Sequence, residues 1–267
     1  RLDFGTNGSV FLDLNSRRKK PERAMHFTLR ARKSFQSENI VFPPVDDLVQ
    51  SAITLVSASL DTTSPIPFYD AQMIFHELGH CLHAVLSETK YQTLSGTRCS
   101  MEVAEFPSMF MELAFESPDF QYKYLGTHLN EDCIARLDST KQQHLLDSSR
   151  IALIDLYLHN TKPPQGEDPQ WIIKVIRQLG IEKEDIQHLN YLGNYGATFY
   201  TYSVCQMLAE NFLQDEPSPW AKLKNLLKMG GLLDVSQIKS PGQLYQLVHE
   251  HERRGASSRV ARKGELG

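Results

Sequence analysis

With 267 residues, 41% of them hydrophobic, the chain is long enough to form one large or two small domains around a sizeable core. Its net charge of −4 argues against a nucleic-acid or general polyanion surface. Nothing in it approaches about 18 consecutive apolar residues, so no membrane-spanning helix is expected. In chain order the β signals come first: Ser9–Leu14, Met25–Leu29 and Ala52–Ser57 read as a small sheet within the N-terminal 60 residues. From Asp70 onward almost everything reads as helix, over 69–87, 101–116, 130–137, 141–160, 168–179, 196–214, 218–229 and 241–252. The breaks are Pro163-Pro164, Gly180, Pro217, Gly230-Gly231 and Pro241. The expected fold is therefore mainly α with a small N-terminal sheet. Residues 1–252 are read as one domain, and 253–267 (RRGASSRVARKGELG) as a basic, disordered tail. The cysteines, Cys81, Cys99, Cys133 and Cys205, are widely spaced, and three sit in apolar helical patterns, which reads as buried thiols in a reducing compartment.

The segment 76–80, HELGH, carries the chemistry. On a helix His76 and His80 share a face and can reach one metal ion, with Glu77 between them as a general base. Zinc suits such a pair. The flanks support a helix: Asp70 serves as N-cap or first-turn acid, and Met73, Ile74, Leu78, Cys81, Leu82, Val85 and Leu86 give one apolar face. His83 lies on roughly the same face and is read as a packed histidine at the rear of the site rather than as a further partner. A catalytic zinc usually has three protein ligands and one open position. No third histidine follows closely, since the next after His83 is His128. The downstream carboxylates lie on a helix that Ser100 could cap, and spacing alone favours Glu105 or Glu112 without deciding between them.

The helix HELGHCLHAVL, then Gly96-Thr97, then Glu102-Val103-Ala104-Glu105-Phe106-Pro107-Ser108 resemble the thimet oligopeptidase family of zinc peptidases. The resemblance extends to LDFGTNGSVFLDL, to His26–Ser34, to Tyr91–Cys99 with its Arg98-Cys99 pair, and to Tyr195–Tyr202, from about residue 2 to residue 250. Within the family it is the branch that processes mitochondrial precursors that these segments are most similar to. The resemblance implies a zinc site of His76, His80 and Glu105, Glu77 as general base, and Glu102 as a carboxylate behind a histidine or a solvated first-turn acid. It implies Tyr195 and Tyr202 on the substrate side, with Tyr202, and less directly His188, stabilising the oxyanion. Tyr200 is read as a core aromatic. Two departures from the family pattern stand out: His188 is seven residues before Tyr195 rather than four or five, and Phe199 stands where Tyr is common.

In zinc peptidases an edge strand beside the metal can pair with the substrate backbone, and Ala52–Ser57 is the candidate by its position before the metal helix. The resemblance thus implies a zinc endopeptidase acting on short peptides, or on the N-terminal octapeptide of imported precursors in the mitochondrial matrix, with the cytoplasm as the alternative location; the chain is read as a monomer. The alternatives are a general oligopeptidase, or a zinc- and peptide-binding protein without turnover. Family members are longer, and the chain is read as their C-terminal catalytic part.

Overall fold

The computed structural model describes residues 1–34, 49–61, 63–160, 171–178 and 196–234. Strands β1 (Leu2–Asp3), β2 (Gly8–Asn15), β3 (Met25–Arg30) and β6 (Ala52–Leu60) form one sheet in the order β1-β2-β6-β3. β2 and β6 run parallel, while β1 and β3 pair antiparallel with their neighbours. β4 (Lys33–Ser34) and β5 (Val49–Gln50) form a separate short ladder. Seven helices follow among the described residues: α1 (Phe68–Leu86), α2 (Met101–Glu116), α3 (Pro118–Leu125), α4 (Glu131–Asn160), α5 (Trp171–Gln178), α6 (Tyr200–Asp215) and α7 (Pro219–Leu227). The mainly α fold with a small N-terminal sheet is as expected.

Two apolar clusters fix the site between them. Val10, Ala52 and Val56 of the sheet pack against Cys81 and Val85, so the rear face of α1 rests on β2 and β6. Alternate residues of β6 are buried, the pattern of a strand with one face on a core. In the second cluster Phe106, Phe110 and Leu113 of α2 interlock with Leu208 and Phe212 of α6 and Leu223 and Leu227 of α7. α2 is buried along nearly its whole length, so it is the central helix of this half.

Several expectations need correction. β6 lies inside the sheet, hydrogen-bonded on both sides, and has no free edge for a substrate strand. The edge beside α1 among the described residues is β3. Residues 130–160 do not break near Asp138: α4 is one helix of 30 residues. α3 was not expected, although Ser117 caps it by accepting from the Phe120 amide at 3.1 Å, Pro118 opens it, and Gly126 closes it at φ +64°. Ser100 occupies the N-cap position of α2 but makes no side-chain cap bond. The helix expected over 241–252, the tail 253–267 and the Pro163–Pro169 loop lie outside the described residues.

Candidate metal centre

α1 and α2 cross with their backbones almost touching. A Cβ at Gly79 would lie 2.5 Å from the Pro107 carbonyl oxygen and 2.5 Å from Ser108 Cα, so only glycine permits this approach. The crossing brings Glu105 of α2 against the two histidines of α1. Glu105 Oε2 is 3.4 Å from His76 Nε2 and 3.6 Å from His80 Nε2. Three ligands at about 2.0–2.1 Å from a tetrahedral zinc lie about 3.4 Å apart, so the donor atoms are spaced as such a site requires. His76, His80 and Glu105 are also the group of metal-capable side chains whose ligand atoms converge within 4.8 Å among the described residues. The N₂O donor set and its burial fit zinc.

Hydrogen bonds hold two of the three candidate ligands, Glu105 and His76, while His80 Nδ1 is buried without a hydrogen bond of good geometry among the described residues. Ser108 Oγ lies 2.9 Å from Glu105 Oε2 and 2.8 Å from the Glu105 carbonyl. His76 Nδ1 makes a short contact with Glu112 Oε1, and Gln72 reaches the other Glu112 oxygen at 3.3 Å and Glu116 at 2.6 Å. Lys141 of α4 closes this network 3.4 Å from Glu116. A carboxylate behind a ligand histidine fixes its ring and tautomer. Glu112 holds that position; Glu102, read from the sequence as either such a carboxylate or a solvated first-turn acid, accepts from the Tyr200 hydroxyl at 2.5 Å.

Burial and neighbouring charge pull these groups apart. Burial opposes charge on His76, but Glu105 and Glu112 outweigh it and push the ring up to about 10. Burial likewise opposes charge on Glu105, and the two histidines and Ser108 overcome it, lowering the carboxyl to about 2. Burial lowers His80 to about 4, against the attraction of Glu105. Glu77 is raised, chiefly by burial, with His76 pulling the other way and Glu105 adding to the rise. A carboxylate with a raised pKa beside a metal position is suited to accept and return a proton.

A sequence model described as "Peptidase family M3" matches residues 2–240. The chain belongs to this family. Curated proteins named mitochondrial intermediate peptidase are among its relatives. The protein of that name from Saccharomyces cerevisiae is 25% identical over 271 residues, covering 86% of this chain and 35% of its own length. The one from Rattus norvegicus is 27% identical over 232 residues, covering 79% and 32%, and the one from Neurospora crassa 27% identical over 199 residues, covering 63% and 25%. The chain thus spans about a third or less of the length of these curated relatives.

The other expected residues of this M3 chain fall in three places. Tyr202 is on the first turn of α6, its ring 5.2 Å from that of Phe199 and packed on the α2–α6 core. Tyr200 is not a core aromatic: it is only partly buried, and its bond to Glu102 raises its hydroxyl to about 12. Tyr195 and His188 lie outside the described residues. His83 is fully buried between α1 and the Gly230 turn, and neither ring nitrogen makes a hydrogen bond of good geometry, so it is a packed histidine. Sequence reasoning missed His26 of β3, whose ring lies 5.8 Å from that of His80 and whose amide faces the Glu77 carboxylate. Its place inside the expected strand Met25–Leu29, at the start of the His26–Ser34 segment of resemblance, was the available signal.

Proposed function

We propose that this chain is the catalytic region of a zinc metalloendopeptidase. The observation that carries the reading is the convergence of His76 Nε2, His80 Nε2 and Glu105 Oε2 at tetrahedral-edge distances, with Glu77 on the same helix. Zinc held there would supply Lewis acidity, polarising a scissile carbonyl and lowering the pKa of water to about 7. Glu77 then takes the proton from the attacking water and delivers it to the leaving amine. Glu112 keeps the His76 ring turned so that Nε2 faces the ligand cluster. A tyrosine hydroxyl donates to the oxyanion, with Tyr202 assigned by family resemblance and His188 the weaker candidate.

The substrate backbone pairs with β3. Supporting this are its edge position beside α1, the His26 amide facing Glu77, and the exposed side chains of Phe27 and Leu29. Tyr195 and Tyr202 contact the substrate. Glu102 acts through Tyr200, fixing the tyrosine-bearing helix to α2. The family resemblance points to removal of an N-terminal octapeptide from imported precursors in the mitochondrial matrix, and the relatives' name, mitochondrial intermediate peptidase, supports a mitochondrial peptidase. No helix among the described residues is long and apolar enough to cross a membrane.

Zinc content and cleavage of quenched peptides, measured on one preparation, test the proposal. One equivalent of zinc with turnover is the expected result, and precursor intermediates should be cut in preference to short unstructured peptides. Preference for the short peptides would indicate a general oligopeptidase. One equivalent of zinc without any cleavage would contradict the enzymatic reading.

A further inference from the structure

The lead-in to α6 is held from outside that helix. Ala197 sits at φ +59°, a conformation that residues other than glycine seldom adopt. Phe199, at the N-cap position, supplies no side-chain bond to the first amides of α6. A single carboxylate of α4 serves the segment instead. The Ala197 amide donates to Asp155 Oδ1 at 2.9 Å and the Phe199 amide donates to Asp155 Oδ2 at 2.9 Å. Asp155 is fully buried, so it depends on these partners to offset the loss of water. His159, one turn further along α4, completes the set, with Nδ1 3.0 Å from Asp155 Oδ1 and 2.8 Å from the Asp155 carbonyl.

One end of this arrangement packs on α4 and the other reaches toward the site. A Cβ at Gly196 would lie 3.0 Å from His159 Nε2, so the segment is pressed against the Asp155–His159 pair. Thr201, fully buried, folds back through its hydroxyl onto the Thr198 carbonyl at 2.7 Å. The side chain just before it, Tyr200, donates to Glu102, one turn before the metal-ligand candidate Glu105. Asp155 also places negative charge at the N-terminal end of α6, the favourable end of its dipole. A local Ser or Asp at position 199 would cap the helix more simply. An unusual backbone conformation maintained by a remote buried carboxylate instead shows that the surroundings impose the geometry.

We infer that Asp155 is a positioning residue for the substrate side of the site. Through the Ala197 and Phe199 amides it sets where α6 begins, and so aims Tyr200 at Glu102 near the N-terminal end of α2 and fixes the turn that carries Tyr202. It does this without touching the metal ligands. The activity arm of this inference rests on the peptidase reading; the spectroscopic arm does not.

The test uses Asp155→Asn, which keeps the shape and one acceptor oxygen but turns an amide group toward one of the two backbone N–H donors. Asp155→Ala is the harsher companion. Tyrosine labelled with ¹³C at Cζ reports the Tyr200 hydroxyl, its signal assigned by Tyr200→Phe. Asp155→Asn is expected to move that signal toward free tyrosine, to leave zinc affinity unchanged, and to lower kcat/KM on a quenched peptide by about tenfold to a hundredfold. An unmoved Tyr200 signal in Asp155→Asn would overturn the inference, as would zinc affinity that falls in step with activity. If the wild-type chain cleaves nothing, the peptidase reading fails while the Tyr200 signal still decides the role of Asp155.

Discussion

The two halves of the site are built in opposite ways. At the α1–α2 crossing, the metal-ligand candidates come from two helices in direct backbone contact, and Gly79 makes that contact possible. At the head of α6, the backbone leading into Tyr200 and Tyr202 is held by a carboxylate on α4, and Tyr200 is tied to α2 by a side-chain bond to Glu102. The first arrangement is local and buried. The second is assembled from segments far apart in the chain and is partly exposed. Chemistry at the metal should therefore be robust to changes at α6, while substrate handling should not be.

The largest effect expected at the crossing is chemical. Glu77→Gln should retain metal but lose about 10²–10⁴-fold in peptide hydrolysis, measured on metal-loaded protein. Substantial turnover by that variant would remove Glu77 from the role of base. Glu112→Ala should weaken metal binding about 10–100-fold in a chelator competition, because His76 loses the carboxylate that fixes its ring. Glu102→Gln should leave metal binding unchanged, and equal losses from the two variants would erase the distinction between the halves.

Gly79→Ala tests the backbone contact itself. The added methyl meets Pro107 and Ser108 backbone, and denaturant unfolding should show a loss of about 1–3 kcal/mol together with weakened metal binding. The smallest effect lies behind the site. Burial and the nearby His80 hold His83 at about 4, below its ordinary value of 6.5. The unfolded chain therefore takes up a proton first as pH falls. His83 then makes the fold less stable between about pH 6.5 and 4, by at most about 1.4 kcal/mol per pH unit. His83→Leu, which gives up no hydrogen bond of good geometry, should flatten that slope in thermal melts. An unchanged slope would mean that His83 does not titrate this way.

The same contrast decides what could be read from the sequence. His76 and His80 are four residues apart, so helix periodicity alone placed them on one face, with Glu77 between them. Glu105 followed from family spacing. The role of Gly79 did not, since it depends on a second helix. Glu102 and Glu112 both share a face of α2 with Glu105, and only the direction of the α1–α2 crossing decides that His76 meets Glu112 while Glu102 turns toward Tyr200. The strand order escaped for a related reason. β2 and β6 pair in parallel across more than forty residues, a contact without a hairpin signal, so chain order misplaced the free edge. Asp155 and the Ala197 backbone conformation have no local signature at all.

The central claim is that His76, His80 and Glu105 form one zinc site. A zinc titration of the wild-type chain beside Glu105→Ala, both checked for folding by circular dichroism, tests it most directly. The wild-type chain should bind one equivalent tightly, and the folded variant should lose most of that affinity. Retention of full affinity by folded Glu105→Ala, or the absence of stoichiometric binding by the wild-type chain, would contradict the account.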